Sequence, residues 1–132
     1  MPSHDYWETA CKNGEFKHWE PEYPSPELSA PAASWFFRKN ARVLDAGTGG
    51  GNDAVFPALC GLKVTAIDWS HAALQIAEQR ALKAGVKVEF QVGSVLDLPF
   101  PKASFDYVID RGLFHLLEDS ECRFTPRNCS AC

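Results

Sequence analysis

The residues best suited to binding a ligand lie within 42–53, a stretch that reads RVLDAGTGGGND. A short apolar run ends in the carboxylate of Asp45, and a glycine-rich turn follows before a helix predicted to begin at Asn52. Glycines tolerate positive φ angles and let a ligand approach the backbone, because no Cβ stands in the way. The helix after the turn directs unpaired N–H groups toward it. The stretch is therefore typical of a nucleotide-type ligand site at the carboxyl end of a strand.

The spacing of these glycines distinguishes two classes of ligand. A dinucleotide fingerprint requires Gly-x-Gly-x-x-Gly, but counting from the first glycine puts Asn52 in the third position. This counts against a nicotinamide-dependent oxidoreductase, which stays an alternative hypothesis. The pattern that fits is acid-x-Gly-x-Gly-x-Gly. Its members, together with the threonine inside the turn, are Asp45, Gly47, Thr48, Gly49 and Gly51.

Further candidate residues follow the later strands. Asp68 comes about 20 residues after the glycine turn, where an acid can accept hydrogen bonds from both ribose hydroxyls of an adenosine. Trp69 is a candidate to pack against the adenine. Ser94 and Val95 end the third predicted strand, where the other face and the edge of the adenine would be recognised. Asp110 closes the fourth predicted strand beside the first, and a group there would face the reactive end of the ligand.

The elements that must position these residues alternate along the chain. A first strand begins at Arg42, and the later strands are predicted over 63–68, 86–92 and 105–110. A helix is predicted from Asn52 to about Cys60, with Pro57 expected to kink or shorten it. A second helix follows Ser70 as its N-cap and ends at Ala84, before Gly85. This order predicts an α/β fold with a doubly wound parallel sheet, which brings the carboxyl ends of the strands to one edge.

Residues 1–34 are rich in aromatic side chains and proline. A short helix is predicted over 5–12, ended by Asn13-Gly14, and another over 31–39. The segment is interpreted either as an arm packed on the domain or as a flap whose aromatic side chains close over a ligand. These two interpretations are compatible.

Composition excludes several functions. The 132 residues suit one domain, and a net charge of −4 without a basic block argues against nucleic-acid and membrane partners that bind by charge. No apolar run approaches the ~20 residues of a membrane span, and no signal peptide is visible, so a cytoplasmic location is expected. The five cysteines are expected to be reduced thiols. Cys129 and Cys132 form C-x-x-C without a second ligand pair, so no metal site is predicted.

Three stretches resemble the class I S-adenosylmethionine-dependent methyltransferases. They read VLDAGTGGGNDAV, VTAIDWS, and the run from FQVGS to DRGLFH. The last six residues of that run, together with the earlier WEPEYPSPEL, resemble the thiopurine- and tellurite-type small-molecule branch. The resemblance implies a Rossmann-like fold and S-adenosyl-L-methionine as cofactor. The contacts it implies are Asp45 and Gly47 at the methionine end, Asp68 at the ribose, Val95 near the adenine, Asp110 near the sulfonium, and Trp19 in a flap over the cofactor. Ser94 departs from the family pattern, since many relatives carry an acid there to meet the adenine amino group.

The resemblance also implies a domain division. The family continues past the fourth strand with a helix and three more strands, whereas segment 118–132 shows no clear periodicity. The chain is accordingly divided into an aromatic arm (1–34), the cofactor-binding half of a methyltransferase domain (35–117) and an irregular tail (118–132). It is interpreted as truncated, and the fourth strand would then be an exposed edge available to a partner chain.

The function predicted by this resemblance is methyl transfer from S-adenosylmethionine to a small molecule, a thiol or a similar soft nucleophile. No catalytic residue is assigned, because such an acceptor demands no general base. His115 is a candidate base, although a structural role is favoured for it. A truncated, non-catalytic isoform or fragment that binds cofactor weakly or pairs with another chain is the main alternative. A protein-lysine methyltransferase is a further one.

Overall fold

The computed structural model describes residues 3–18, 39–101 and 103–110. Within these residues, four strands form a single sheet and three α-helices accompany them. The strands are β1 (Arg42–Ala46), β2 (Lys63–Asp68), β3 (Glu89–Val92) and β4 (Tyr107–Asp110). The helices are α1 (His4–Lys12), α2 (Asn52–Leu59) and α3 (His71–Ala84), with a short 3₁₀ helix at Glu15–His18.

The sheet has the order β3-β2-β1-β4, and all three of its strand pairs are parallel. The chain proceeds outward from β1 to β2 and β3, and then returns to add β4 on the other side of β1. The strand order therefore reverses between β1 and β4, which is the switch point where α/β sheets bind ligands. This topology confirms the predicted doubly wound, Rossmann-like fold.

Both faces of β1 are buried, as expected for a central strand with covered faces. Val43 packs with Val64 and with Ala54 of α2 on one face. Leu44 packs with Ile67 on the other face. The successive apolar side chains of this strand thus belong to two core clusters that lie on opposite sides of one sheet.

A buried carboxylate joins the starts of β1 and β4. Asp106 is 8% exposed, and its Oδ2 accepts hydrogen bonds from the backbone N–H of Arg42 (2.8 Å) and from the Nε of the same residue (3.3 Å). The Arg42 Nη2 donates to Oδ1 at 3.2 Å, and the Asp106 N–H donates to the Arg42 carbonyl at 2.7 Å. These bonds hold the register in which Val43 pairs with Tyr107.

Helix α3 begins and ends as the sequence predicts. The Ser70 hydroxyl accepts a hydrogen bond from the Ala73 N–H at 3.1 Å, so this residue is the N-cap. At the other end Gly85 adopts φ +70°, and its N–H donates to the Leu82 carbonyl. The Val86 N–H donates to Ala81, which completes a Schellman motif.

Some predicted boundaries are wrong. Strand β3 begins at Glu89 rather than Val86, because the Schellman motif carries the chain away from α3 before pairing with β2 can start at Thr65. Strand β4 begins at Tyr107 rather than Phe105. Helix α2, in contrast, ends at Leu59 with Cys60 as its C-cap, which agrees with the predicted end at about Cys60, and it holds the buried Pro57 within its eight residues. The helix predicted over 31–39 and the tail 118–132 fall outside the described residues, apart from the turn at 39–40.

Candidate cofactor site

The glycine-rich turn is tied to the end of β2 by its own backbone. The N–H groups of Gly47 and Thr48 both donate to the Ile67 carbonyl, at 2.9 and 3.0 Å. Gly47, Gly49 and Gly51 all have positive φ, with values of 71°, 54° and 84°. Three such residues within five positions require glycine, because an ordinary side chain is strained in this region. The turn therefore has one defined path from β1 into α2.

Helix α3 supports the outer side of this turn. A Cβ placed on Gly51 would lie 2.6 Å from the Cβ of Ala77, so the turn and the helix are in direct contact. The Arg80 Nη1 donates a hydrogen bond to the Gly50 carbonyl at 2.9 Å. The sequence pattern identified the glycines, but it did not show that Ala77 and Arg80 of a later helix would contact them.

Asp68 connects the turn to the start of α3. Its Oδ2 accepts from the Gly49 N–H at 3.0 Å, and its Oδ1 accepts from the Ser70 N–H at 2.9 Å. Burial raises the pKa of this carboxyl above its ordinary value of 3.8, against the backbone hydrogen bonds that lower it; the nearby charge of Glu8 raises it further. Asp68 thus lies where the sequence analysis predicted, at the end of β2 beside the glycine turn.

Asp45 is a buried acid that is hydrogen-bonded to the glycine-rich turn. Its side chain is 2% exposed, and its Oδ2 accepts from the Thr48 hydroxyl at 2.7 Å. Thr48 is itself 6% exposed. These two members of the acid-glycine pattern are therefore bonded to each other, which fixes the first half of the turn relative to β1.

The other predicted site residues differ in their exposure and in the groups that they contact. Trp69 is half-buried and faces the His4 ring edge to face, with 5.7 Å between centroids. The Ser94 hydroxyl accepts from the Leu96 N–H at 3.1 Å. Val95 is buried in the core cluster with Ile67, so its side chain points away from solvent.

Asp110 and Trp19 are the last two residues predicted for the site. Asp110 ends β4 and pairs in register with Ala46 at the end of β1, which brings it to the same sheet edge. Trp19 lies outside the described residues. The carboxyl ends of β1, β2 and β4 are thus neighbours, and the glycine turn leaves from the middle of them.

The sequence analysis missed the contribution of α1. Glu8 accepts hydrogen bonds from the Ser70 hydroxyl (2.7 Å) and the Ala72 N–H (3.1 Å), and the Nε2 of His4 lies 2.8 Å from the Trp69 carbonyl. Its hydrogen bond from Ser70 lowers the pKa of the Glu8 carboxyl. A signal was available, since His4, Glu8 and the buried Cys11 share one face of a helix by their i, i+4 and i+3 spacing.

Two features are absent from the described residues. Within residues 3–18, 39–101 and 103–110, no three His, Cys, Asp or Glu side chains are grouped as metal ligands would be. None of the helices in this part of the chain is long and apolar enough to traverse a bilayer.

Comparison with known proteins identifies the family. A family model described as a methyltransferase domain matches residues 43–132, which is more than half of the chain. The chain therefore belongs to the methyltransferase domain family, among the class I S-adenosylmethionine-dependent enzymes, whose cofactor is S-adenosyl-L-methionine. The match extends through segment 118–132, for which the sequence showed no clear periodicity.

Individual relatives agree with this assignment. The ubiquinone biosynthesis O-methyltransferase of Xanthomonas axonopodis pv. citri (strain 306) is 45% identical over 69 residues, which are 52% of this chain and 29% of that protein. The 1,6-didemethyltoxoflavin-N1-methyltransferase of Burkholderia thailandensis, solved with 1,6-didemethyltoxoflavin and S-adenosylhomocysteine, has 26% identity and a TM-score of 0.74 over 92% of this chain and 52% of its own.

A third relative is a structure solved in a study of the conversion of a disulfide bond into a thioacetal group during echinomycin biosynthesis. It has 35% identity and a TM-score of 0.76 over 84% of this chain and 47% of its own. The chain thus spans between 29% and 52% of the length of these three relatives.

Proposed function

We propose that this chain binds S-adenosylmethionine and transfers its methyl group to a small molecule. The observation that carries the proposal is the position of Asp68, whose two oxygens accept from the glycine turn on one side and from the start of α3 on the other. Asp68 lies at the carboxyl end of β2, next to β1, from which the glycine turn leaves at the strand-order switch point. A nucleoside bound across the carboxyl ends of these strands would have this carboxylate within reach of its hydroxyls.

The residues present fit this cofactor. A carboxylate has about four lone-pair sites, so the backbone N–H groups of Gly49, Ser70 and Trp69 do not use all the acceptor capacity of Asp68, and a ribose hydroxyl could use what is left. Trp69 is proposed to pack on the adenine, with Ser94 and Val95 at its edge and Trp19 over the bound cofactor. Because the Val95 side chain is buried, its contribution would come from its backbone.

The methionine end is assigned to the first half of the turn. Asp45 and Thr48 are bonded to each other, so they would shape this end of the site rather than react. Asp110, at the end of β4, is proposed to face the sulfonium. When bound, S-adenosylmethionine supplies an already activated methyl group, and the protein contributes proximity and orientation.

The relatives differ in acceptor class, and the 1,6-didemethyltoxoflavin relative is named as an N1-methyltransferase, which corresponds to a nitrogen acceptor. The structure concerned with disulfide-to-thioacetal conversion supports a sulfur acceptor, in line with the thiol or similar soft nucleophile predicted from the sequence. The ubiquinone biosynthesis relative supports a hydroxyl acceptor instead. We favour the thiol, because a thiolate needs no general base at neutral pH beyond its own ionisation, and no base is assigned in the described part of the chain.

Methyl-labelled S-adenosylmethionine offers a direct test. The chain is incubated with a panel of aryl thiols, matched phenols and catechols, and protein substrates, and products are separated by mass spectrometry. Label on sulfur supports the favoured acceptor, and label on oxygen supports the hydroxyl acceptor. Label on protein would refute the small-molecule assignment. Asp68→Asn should slow transfer by roughly 10- to 100-fold at subsaturating S-adenosylmethionine, whereas Glu78→Gln, which changes an exposed acid on α3, serves as the matched control.

A chain that neither binds S-adenosylmethionine nor transfers its methyl group would refute the proposal altogether. That result would instead support the alternative of a non-catalytic fragment.

A further inference from the structure

One carboxylate of α1 is bonded to the first turn of α3. The Oε2 atom of Glu8 accepts hydrogen bonds both from the Ser70 hydroxyl at 2.7 Å and from the Ala72 N–H at 3.1 Å. The Ser70 hydroxyl in turn accepts from the Ala73 N–H at 3.1 Å. A single oxygen atom therefore connects two helices that are about 60 residues apart in the sequence.

The surroundings of Glu8 favour its hydrogen bonds to the start of α3. Ser70 is 1% exposed and the Glu8 side chain is 15% exposed, so solvent competes little for either group. Helix N-termini carry unpaired N–H groups and a partial positive charge, which stabilise a carboxylate placed there. Lys12 lies 3.4 Å from the other carboxylate oxygen, Oε1, and leaves Oε2 to the helix. The lowered pKa of Glu8 agrees with an ionised acceptor.

Glu8 acts next to the proposed ribose contact. Ser70 uses its hydroxyl to reach Glu8 and its backbone N–H to reach Asp68 Oδ1 at 2.9 Å. Between these two residues, the Trp69 carbonyl is 2.8 Å from the Nε2 of His4, and the two rings are in edge-to-face contact. Segment 68–70 is thus bonded to the glycine turn through Gly49 and to α1 through His4 and Glu8.

We propose that Glu8 is a positioning residue for the cofactor site, which it serves by holding segment 68–70 in the geometry that lets Asp68 accept from the ligand. This inference rests on the proposed function. Glu8 itself contacts backbone and hydroxyl groups of α3, and it acts on the ligand only through Ser70 and Asp68. The amino-terminal helix would therefore contribute to cofactor affinity without touching the cofactor.

Two nearly isosteric substitutions of Glu8 distinguish the effect of losing its hydrogen bonds from the effect of changing its packing. Both bonds end on Oε2, so the amide oxygen of Glu8→Gln can occupy the same place and accept both. Glu8→Met keeps the length and helix propensity of the side chain but has no comparable acceptor. Glu78→Met on the exposed face of α3 is the matched control for loss of an acid.

The first readout is the dissociation constant of S-adenosylhomocysteine, measured by calorimetry on the 132-residue chain. We expect Glu8→Met to weaken binding about tenfold, and Glu8→Gln to stay within about threefold of the original chain, since the loss of two hydrogen bonds of ordinary strength would have this size. Glu78→Met should bind as the original chain does.

The second readout is amide hydrogen exchange without ligand. Glu8→Met should accelerate exchange at Ser70, Ala72 and Gly49, whose amide is bonded to Asp68. Faster exchange confined to α1, or unchanged binding in Glu8→Met, would overturn the inference while leaving the proposed function intact. An original chain that does not bind S-adenosylhomocysteine would overturn both. A Glu8→Met chain that fails to fold beside a folded Glu8→Gln would show a structural role instead.

Discussion

The contact between the glycine turn and α3 predicts a large stability difference between two glycine substitutions. Gly51 and Gly61 share the same φ of +84°, but they differ in surroundings. A Cβ on Gly51 would lie 2.6 Å from the Ala77 Cβ and 2.9 Å from its Cα, whereas a Cβ on Gly61 meets nothing within 4 Å. Replacement of each by alanine therefore imposes the same backbone strain, and only Gly51→Ala adds a clash.

The magnitudes follow from these two effects. The left-handed conformation costs an alanine roughly 1–2 kcal/mol, which is the whole expected loss for Gly61→Ala. Overpacking of a well-filled contact costs roughly 1–3 kcal/mol more. Gly51→Ala should thus lose about 2–5 kcal/mol of unfolding free energy. This is a large share of the roughly 5–15 kcal/mol that a typical domain has.

Urea denaturation followed by circular dichroism measures both losses. Adding Ala77→Gly to Gly51→Ala should recover part of the clash energy, because it removes the nearer of the two contacting carbons. Ala77→Gly alone costs about 1 kcal/mol from helix propensity, so the coupling between the two changes is read from a double-mutant cycle. Equal losses for Gly51→Ala and Gly61→Ala would refute the contact between turn and helix.

Three further predictions concern the acids of the site and sheet. Asp68→Asn should weaken S-adenosylhomocysteine binding by roughly 10- to 100-fold. Because the ionised carboxylate accepts the ribose bonds, the affinity of the original chain should fall as the pH decreases through the Asp68 pKa, which burial raises above 3.8. Calorimetry at a series of pH values should show this fall for the original chain and a flat profile for the variant. Asp106→Ala should lose about 2 kcal/mol by urea denaturation, since it leaves a backbone N–H at the sheet without its carboxylate partner; the exposed Asp97→Ala is its control, and equal losses would contradict the role given to the buried acid. Thr48→Val should lose about 1–3 kcal/mol by the same assay, because it removes a hydroxyl donor from the buried Asp45, and an unchanged midpoint would argue against that bond.

The sequence predicted the elements whose signals are local. Strand β2 and helix α3 have the predicted bounds, because an apolar strand run, a serine N-cap and a glycine after the last turn each act within a few residues. The start of β3 was wrong for a related reason. The valine alternation at 86–92 is typical of a strand, but the Schellman bonds of α3 extend to Val86 and delay pairing until Glu89.

The sequence predicted individual residues of the site but not the hydrogen bonds that join them to distant parts of the chain. Asp68 and the glycines were identified from spacing, and the sheet brings them together as parallel strands require. The supports from Glu8 and Arg80 were not identified, because each joins groups that are far apart in the sequence and ordinary in type. A single glutamate on a short helix does not indicate a role by itself, and the role of Glu8 became visible only when the fold showed that it contacts the N-terminus of α3.

The central claim is that the carboxyl edge of the sheet, around the glycine turn and Asp68, binds S-adenosylmethionine. A two-dimensional amide NMR spectrum of the 132-residue chain, recorded with and without S-adenosylmethionine, tests it most directly. We predict well-dispersed peaks, with ligand-induced shifts concentrated at Gly47, Gly49, Gly51 and segment 68–70. A dispersed spectrum that S-adenosylmethionine leaves unchanged, or shifts confined to residues away from this edge, would contradict the claim.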